Sequence, residues 1–213
     1  MKALYLLSLT CILIACNSEP IPTIPTGPSN KSLVIASFNT YKKAVDSQNG
    51  QAATQQLSSS SIRYYDQVLD HVLYSDKEKI TRLSSGDMMQ ILGLRLFFPK
   101  EQLLQYNGAQ LFQAMVDNKF TARKQLAKTT IGKVAVKGNN AKGQMVLEGK
   151  ASPIFFDFRK EEGVWKLDMT TTVIMTTKHV DQQAKAVQLS VPAFLETAMQ
   201  LTEEEKNTIW QPL

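Results

Sequence analysis

Two adjoining stretches, PIFFDFRK at 153–160 and EEGVWKLD at 161–168, decide the fold class of this chain. Successive side chains of an extended strand point to opposite faces, so Phe156 and Phe158 share one face while Asp157 lies on the other. The start of the second stretch, with two acidic residues and a glycine, is typical of a tight turn. The sequence therefore predicts two antiparallel strands with one apolar face that other elements must cover.

The segments on either side of this hairpin give the order of the elements. Alternation predicts further strands at 128–137 and 142–150, and the strand that begins at 164 is predicted to run to 172. From residue 31 to about residue 120 the apolar residues instead recur at helical spacing. Helices are predicted again at 180–188 and 192–199. This order predicts an α+β fold in which helices are followed by an antiparallel sheet and a C-terminal helical tail.

Length and composition describe one ordinary domain. Of the 213 residues, 43% are hydrophobic and 20% are charged, which excludes disorder along the whole chain. The one long apolar run, at 3–15, is too short to span a bilayer as a helix. A polytopic membrane protein is therefore excluded.

The amino terminus has the layout of a secretory signal. Lys2 supplies the positive end and residues 3–13 supply the apolar core, which ends in LIAC at 13–16. This ending resembles the lipobox of bacterial lipoproteins, where cleavage leaves Cys as the first residue. The resemblance implies a signal peptide at 1–15 and lipid attachment at Cys16, through a thioether diacylglycerol and an N-acyl chain. An ordinary signal peptide with an incidental Cys16 is the alternative.

The residues that follow the lipobox are predicted to tether the domain to the membrane. Residues 16–31 contain four prolines, which favour an extended chain over a helix. Asn17 stands where an Asp favours inner-membrane retention in enterobacterial lipoproteins. The resemblance therefore implies an outer-membrane anchor that faces the periplasm, while the inner membrane and the cell surface stay open.

Four short stretches carry a second resemblance, to the nuclear transport factor 2-like superfamily, which includes ketosteroid isomerase-like proteins. They are SFNTYKKAV at 37–45, NGQAA at 49–53, SSIRYY at 60–65 and EGVWKLD at 162–168. In that superfamily a curved antiparallel sheet forms a cone around helices. The resemblance implies such a cone at 32–178, with the helical tail at 179–213 packed outside it, and a ligand pocket at the wide end of the cone.

The implied pocket suggests candidate site residues. The predicted lining consists of Tyr64, Tyr65, Met88, Met89 and Leu92, although their helical spacing favours core packing over a pocket. Asp157, set among phenylalanines, is a weak catalytic candidate, because burial raises the pKa of a carboxyl that faces inward. Its alternation instead favours the outward face, beside Arg159.

Metal and cofactor sites are not predicted. His71 and His179 lie far apart in the sequence, and no carboxylate pair has ligand-like spacing around either. Residues 137–140 read as a hairpin turn and not as a glycine-rich phosphate loop. Once Cys16 is acylated and 1–15 removed, no free thiol is expected in the mature chain.

Basic residues are concentrated in one part of the chain. Seven basic residues and no acidic residue occur between 119 and 147, and Arg123, Lys124, Lys128 and Lys133 form the candidate basic patch. The pattern indicates either a solvated sheet face whose lysines guard a strand edge or an electropositive surface for anionic lipid or an acidic partner. Nucleic acid is not expected as a partner for a chain that faces the periplasm.

These observations leave three hypotheses on function. The first is a membrane-anchored lipoprotein that binds a protein partner or a small apolar ligand without catalysis. The second is an immunity or inhibitor lipoprotein that neutralises a periplasmic toxin, a role that occurs in the resembled superfamily. The third is an isomerase- or hydrolase-type enzyme that uses Asp157 together with a tyrosine.

Overall fold

A computed structural model describes residues 28–121 and 123–213 of the chain. The predicted signal peptide at 1–15, the acylation site Cys16 and the tether up to residue 27 lie outside the described residues. No helix in the two described ranges is both long enough and apolar enough to cross a bilayer.

Helices occupy the first half of the described chain, as the helical spacing predicts. They are α1 (Asn30–Asp46), α2 (Gly50–Thr54), α3 (Ser59–Tyr74), α4 (Lys77–Thr81), α5 (Ser85–Phe97), α6 (Lys100–Leu103), α7 (Gly108–Asp117) and α8 (Arg123–Ala127). Ser29, Ser58 and Ser84 begin α1, α3 and α5, because each side chain accepts a hydrogen bond from a backbone N–H of the first turn.

A four-stranded antiparallel sheet follows, with its strands in the order in which they occur along the chain. They are β1 (Thr129–Lys137), β2 (Asn140–Leu147), β3 (Lys150–Glu161) and β4 (Val164–Asp168). Each connecting turn contains a glycine with positive φ, which allows a tight reversal. The predicted α+β order, helices followed by an antiparallel sheet, is confirmed.

The apolar face of the sheet packs on the helices. Phe156, Phe158 and Leu167 are buried, and the ring of Phe38 on α1 lies 5.1 Å from the ring of Phe156. Removing these side chains from water is the main stabilising contribution to the fold. The alternation that the sequence predicted for β3 is therefore the alternation between its core face and its outer face.

Helix α1 is bonded to both outer strands of the sheet. The Ser37 hydroxyl donates to the Trp165 carbonyl oxygen on β4 at 2.8 Å, and the Lys42 ammonium donates to the Thr129 carbonyl oxygen on β1 at 2.8 Å. These two helical residues are about 7.5 Å apart along the axis, whereas the outer strands of a flat four-stranded sheet are ~14 Å apart. The arrangement is consistent with a sheet that curves around α1.

The segment after β4 is a helix, whereas the sequence predicted a strand up to residue 172. β4 ends at Asp168, and α9 (Thr170–Ala186) begins two residues later. The β-branched residues at 170–173 favour a strand, but the Asp168 carboxylate accepts hydrogen bonds from the N–H and the hydroxyl of Thr170. Gly86 lets α9 approach α5 closely, because a Cβ at that position would lie 2.9 Å from the Val173 carbonyl oxygen.

Two more helices, α10 (Val191–Ala198) and α11 (Glu203–Thr208), complete the described chain. The helix predicted at 180–188 is the second half of α9, and the helix predicted at 192–199 corresponds to α10. The boundary predicted between cone and tail, at 178/179, falls inside α9. Trp210 after α11 is buried in the same hydrophobic core as the sheet, so the end of the chain is part of the packed structure.

A buried arginine connects this tail to the earlier helices. The Arg95 guanidinium donates to four backbone carbonyl oxygens, those of His71, Val72, Ser75 and Ile209, at 2.6–3.0 Å. The first three are at the end of α3, where a helix leaves its last carbonyls short of donors; among them, the His71 carbonyl also accepts the Ser75 N–H. Burial lowers the pKa of Arg95 to about 10, so the group stays charged at neutral pH.

Candidate functional site

The predicted pocket-lining residues lie mainly in the core. Tyr65, Met88 and Leu92 are buried, and the Tyr65 ring packs 5.0 Å from the Phe112 ring. Met89 is 39% exposed on the surface of α5. Tyr64, from the same predicted set, lines a small cavity of about 120 Å³, room for a few water molecules.

This small cavity contains a polar cluster. The Tyr64 hydroxyl lies 2.7 Å from Asp87 Oδ1 and 3.1 Å from the side-chain amide of Gln90. A hydroxyl has one hydrogen to donate, and the carboxylate is the stronger acceptor. The hydrogen therefore goes to Asp87, and Gln90 Nε2 is buried with no hydrogen-bond partner among the described residues. Burial, aided by Asp87, raises the pKa of Tyr64, which stays protonated.

A larger groove lies on the outer face of the sheet. Its volume is about 460 Å³, within the range of small-ligand sites, and it extends from β1 to the start of α9. Its polar lining consists of Lys137, Asn140, Lys142, Asp157, Arg159, Asp168 and Thr170. Strand alternation sends these side chains away from the apolar face, so the groove is charged while the opposite side of the same strands is core.

Asp168 is the buried centre of this groove. Its carboxylate accepts hydrogen bonds from Arg159 Nε at 2.7 Å, the Ser60 hydroxyl at 2.9 Å and the Thr170 hydroxyl at 2.7 Å. Burial raises the pKa of Asp168, but the hydrogen bonds to its ionised form outweigh burial and hold the pKa below its usual value. The group is an ionised anchor between β4, α3 and α9 and has no proton to transfer at neutral pH.

Asp157, the weak catalytic candidate, lies directly opposite Asp168 on the neighbouring strand. It is half-buried on the outer face, as its alternation predicted, and not among the phenylalanines of the core face. Its carboxylate pairs with Lys142 Nζ at 2.7 Å and accepts from the Thr171 hydroxyl at 2.8 Å. Arg159, its expected neighbour, pairs with Asp168 instead. Two adjacent carboxylates are thus each held by a cation and a threonine.

Sequence reasoning missed Asp168, Lys142 and Thr170 as members of this groove. Alternation along 164–168 places Asp168 on the face opposite Trp165 and Leu167, but which residues meet across strands depends on register. The sequence feature that could have revealed the site is the short turn at 161–163. A turn of this length sets the register of the two strands that it joins, and this register places Asp157 opposite Asp168.

The Asp168 network predicts a pH-dependent contribution to stability. A carboxyl whose folded pKa is depressed stabilises the fold above its unfolded pKa of ~3.9 and loses that effect as the pH falls through the folded pKa. We expect Asp168→Asn to lower the free energy of unfolding by about 1–3 kcal/mol at pH 7. The difference from the wild type should shrink between about pH 4 and pH 2. Urea unfolding across this range measures both quantities.

Asp181→Asn is the matched control, because Asp181 is exposed on α9 and makes no ion pair with any described residue. It should leave the unfolding free energy within about 0.5 kcal/mol of the wild type at every pH. A difference between Asp168→Asn and the wild type that stays constant down to pH 2 would contradict the assignment.

The candidate basic patch is half neutralised. Arg123 pairs with Asp46 at 3.1 Å, and Lys128 pairs with Glu148 at 2.6 Å. Lys124 and Lys133 are exposed and form no ion pair with a described residue. The patch follows α8 and the edge strand β1, so its unpaired cations lie beside the groove and not inside it.

Comparison with models of protein families, with curated protein sequences and with solved structures finds no match for this chain. The groove must therefore be interpreted from its own chemistry. Across 28–121 and 123–213, no three or more His, Cys, Asp or Glu side chains converge as ligands for a metal ion.

Proposed function

We propose that the chain is a membrane-anchored bacterial lipoprotein whose domain binds a protein partner without catalysis. The observation that carries the proposal is that the charged and polar side chains of the sheet lie on its outer face. The apolar face of the sheet is covered by α1 and contributes to a core with aromatic residues such as Phe38 and Phe156, whereas the outer face has a charged, open groove. A surface of this kind suits recognition of another macromolecule better than enclosure of an apolar ligand.

The anchor is supported by the lipobox-like ending of the signal segment. We assign lipid attachment to Cys16, and the outer membrane, facing the periplasm, as the location. A proline-rich segment between Cys16 and α1 would give the domain a reach of roughly 40 Å from the bilayer. We further propose that the domain is a nuclear transport factor 2-like cone. The packing of α1 across the apolar face of the sheet supports this proposal.

The groove favours binding over catalysis. Its two carboxylates are engaged, Asp168 by four hydrogen bonds and Asp157 by Lys142 and Thr171. An acid–base catalyst needs a carboxyl free to gain and lose a proton near neutral pH. Paired charges fixed on a rigid sheet instead provide orientation and specificity toward a partner surface.

Photo-crosslinking in cells tests the proposal. A benzophenone amino acid at Ala135, which is exposed on the groove wall, should give a discrete protein adduct after irradiation. The same probe at Ala198, exposed on α10, is the positional control. We expect an adduct from Ala135 and none of the same mass from Ala198.

Charge reversal identifies the surface that holds the partner. Lys137→Glu combined with Lys142→Glu should remove at least about nine-tenths of the Ala135 adduct, because both cations line the groove. Lys79→Glu combined with Lys100→Glu carries the same charge change at exposed sites elsewhere and should leave the adduct intact. Equal adducts in both double variants would count against a partner on this face.

A further inference from the structure

The two edge strands of the sheet differ in whether another segment of the chain bonds to their outer side. On β4, the Ser58 N–H donates to the Leu167 carbonyl oxygen at 2.9 Å, and the Leu167 N–H donates to the Gln56 carbonyl oxygen at 2.7 Å. The segment before α3 therefore covers the β4 edge. On β1, the Thr129 carbonyl oxygen, bonded to Lys42, is the one outward backbone group with a partner among the described residues.

The register identifies which backbone groups of β1 point outward. Lys137 pairs with Asn140 across the two-residue turn at Gly138, and such closing residues bond to each other. Since backbone direction alternates, the N–H and C=O groups of Val136 and Val134 point away from β2. Unpaired groups of this kind must face either water or an added strand, because a buried unpaired N–H is strongly unfavourable.

The side chains along this edge are cationic. Lys133 and Lys137 are exposed on β1, and Lys124 is exposed on α8 just before it. None of the three forms an ion pair within the part of the chain that the structure describes, and no acidic residue occurs between 119 and 147. The basic run that the sequence singled out therefore borders an open row of hydrogen-bonding groups.

We propose that β1 accepts an extended, acidic segment of the partner protein as a fifth strand. Main-chain hydrogen bonds from Val134 and Val136 would supply affinity, and the lysines would select acidic side chains at alternate positions. A second copy of this chain fits poorly, because pairing two β1 edges would bring their own lysines together. The inference rests on the proposed function and specifies the chemistry of its partner.

The edge strand offers a substitution that removes one of the outward donors and blocks close strand pairing there while it preserves the fold. In Val136→Pro the lost N–H points outward, so the ladder to β2 is kept, and proline is tolerated on edge strands. We expect this variant to lose the adduct formed from Ala135 in cells. Lys133→Glu with Lys137→Glu should lower it about tenfold, with Lys79→Glu and Lys100→Glu as the control. Circular dichroism checks that each variant is folded.

A purified assay identifies the type of ligand. The probe is a nine-residue peptide of alternating Thr and Glu, with a Thr–Lys peptide as control and phosphatidylglycerol vesicles as a second probe. Amide exchange of the full chain in detergent should slow at Val134 and Val136 with the acidic peptide only. Protection by the vesicles alone, by both peptides equally or by no probe overturns the inference.

The two proposals fail in different ways. If Val136→Pro keeps the full adduct from Ala135, a partner binds the groove without strand addition, and only the present inference is wrong. If no protein adduct forms from Ala135 in the wild type, the proposed function is wrong as well.

Discussion

Cys16→Ala is expected to abolish lipid attachment to the protein completely. If Cys16 is the acylated residue, its sulfur carries two acyl chains and its amine a third. One chain binds a bilayer only marginally, with an association constant of roughly 10⁴ M⁻¹, whereas two or more anchor a protein stably. The variant has no thiol to receive the diacylglyceryl group and therefore no anchor.

Fractionation and intact mass measure this result together. The wild type should float with membranes and carry the mass of a diacylglyceryl group and an acyl chain on a chain that begins at Cys16. Cys11→Ala is the matched control, because Cys11 lies in the predicted apolar core of the signal and should be removed with it. A Cys16→Ala protein that still carries the added lipid mass would contradict the lipobox interpretation.

The strands could be predicted because their pattern is local. Alternation over 153–168 placed Phe156 and Phe158 on the core face and Asp157 on the outer face, and the structure has this arrangement. A strand that is half-buried must have this period, so the sequence alone determines the face of each residue.

The segment that begins at Thr170 could not be predicted in the same way. Three threonines and a valine favour a strand locally, but contacts distant in sequence favour a helix. Ser85 and Gly86 on α5 bond to Thr177, and these contacts exist only once both helices are formed. Local propensity was overridden by tertiary packing.

The groove could be predicted only in part for a related reason. Periodicity predicts that Asp157 lies on the outer face. Which cation pairs with each carboxylate, Lys142 with Asp157 and Arg159 with Asp168, depends instead on strand register and on side-chain rotamers. The same limit applies to Tyr65 and Leu92. Helical spacing directs them inward, but whether the interior is a pocket or a packed core depends on what α7 and the sheet contribute.

Arg95→Met is expected to lower the free energy of unfolding more than Asp168→Asn does. The guanidinium bonds to the carbonyls that end α3 and to the Ile209 carbonyl after α11. Methionine retains much of the apolar volume but leaves three of the four buried carbonyls without a donor among the described residues, since only the His71 carbonyl keeps another bond, from the Ser75 N–H. Each unpaired buried acceptor costs about 1–3 kcal/mol, so a total loss of about 3–5 kcal/mol is expected once partial solvation is allowed.

Such a loss is a large part of the ~5–15 kcal/mol that holds a typical domain folded. Urea unfolding of the purified protein measures it, and hydrogen exchange in α11 should accelerate together with exchange at the end of α3, since one side chain joins both.

Arg82→Met is the matched control, because Arg82 pairs with Glu78 on the exposed surface of α4 and should change stability by less than about 1 kcal/mol. Arg95→Lys keeps the positive charge but replaces the planar guanidinium by a single ammonium. Because that ammonium cannot reach carbonyls on two helices, this variant should recover only a minor part of the lost free energy of unfolding. If Arg95→Met unfolds at the wild-type urea concentration, the four bonds do not hold the tail to the domain.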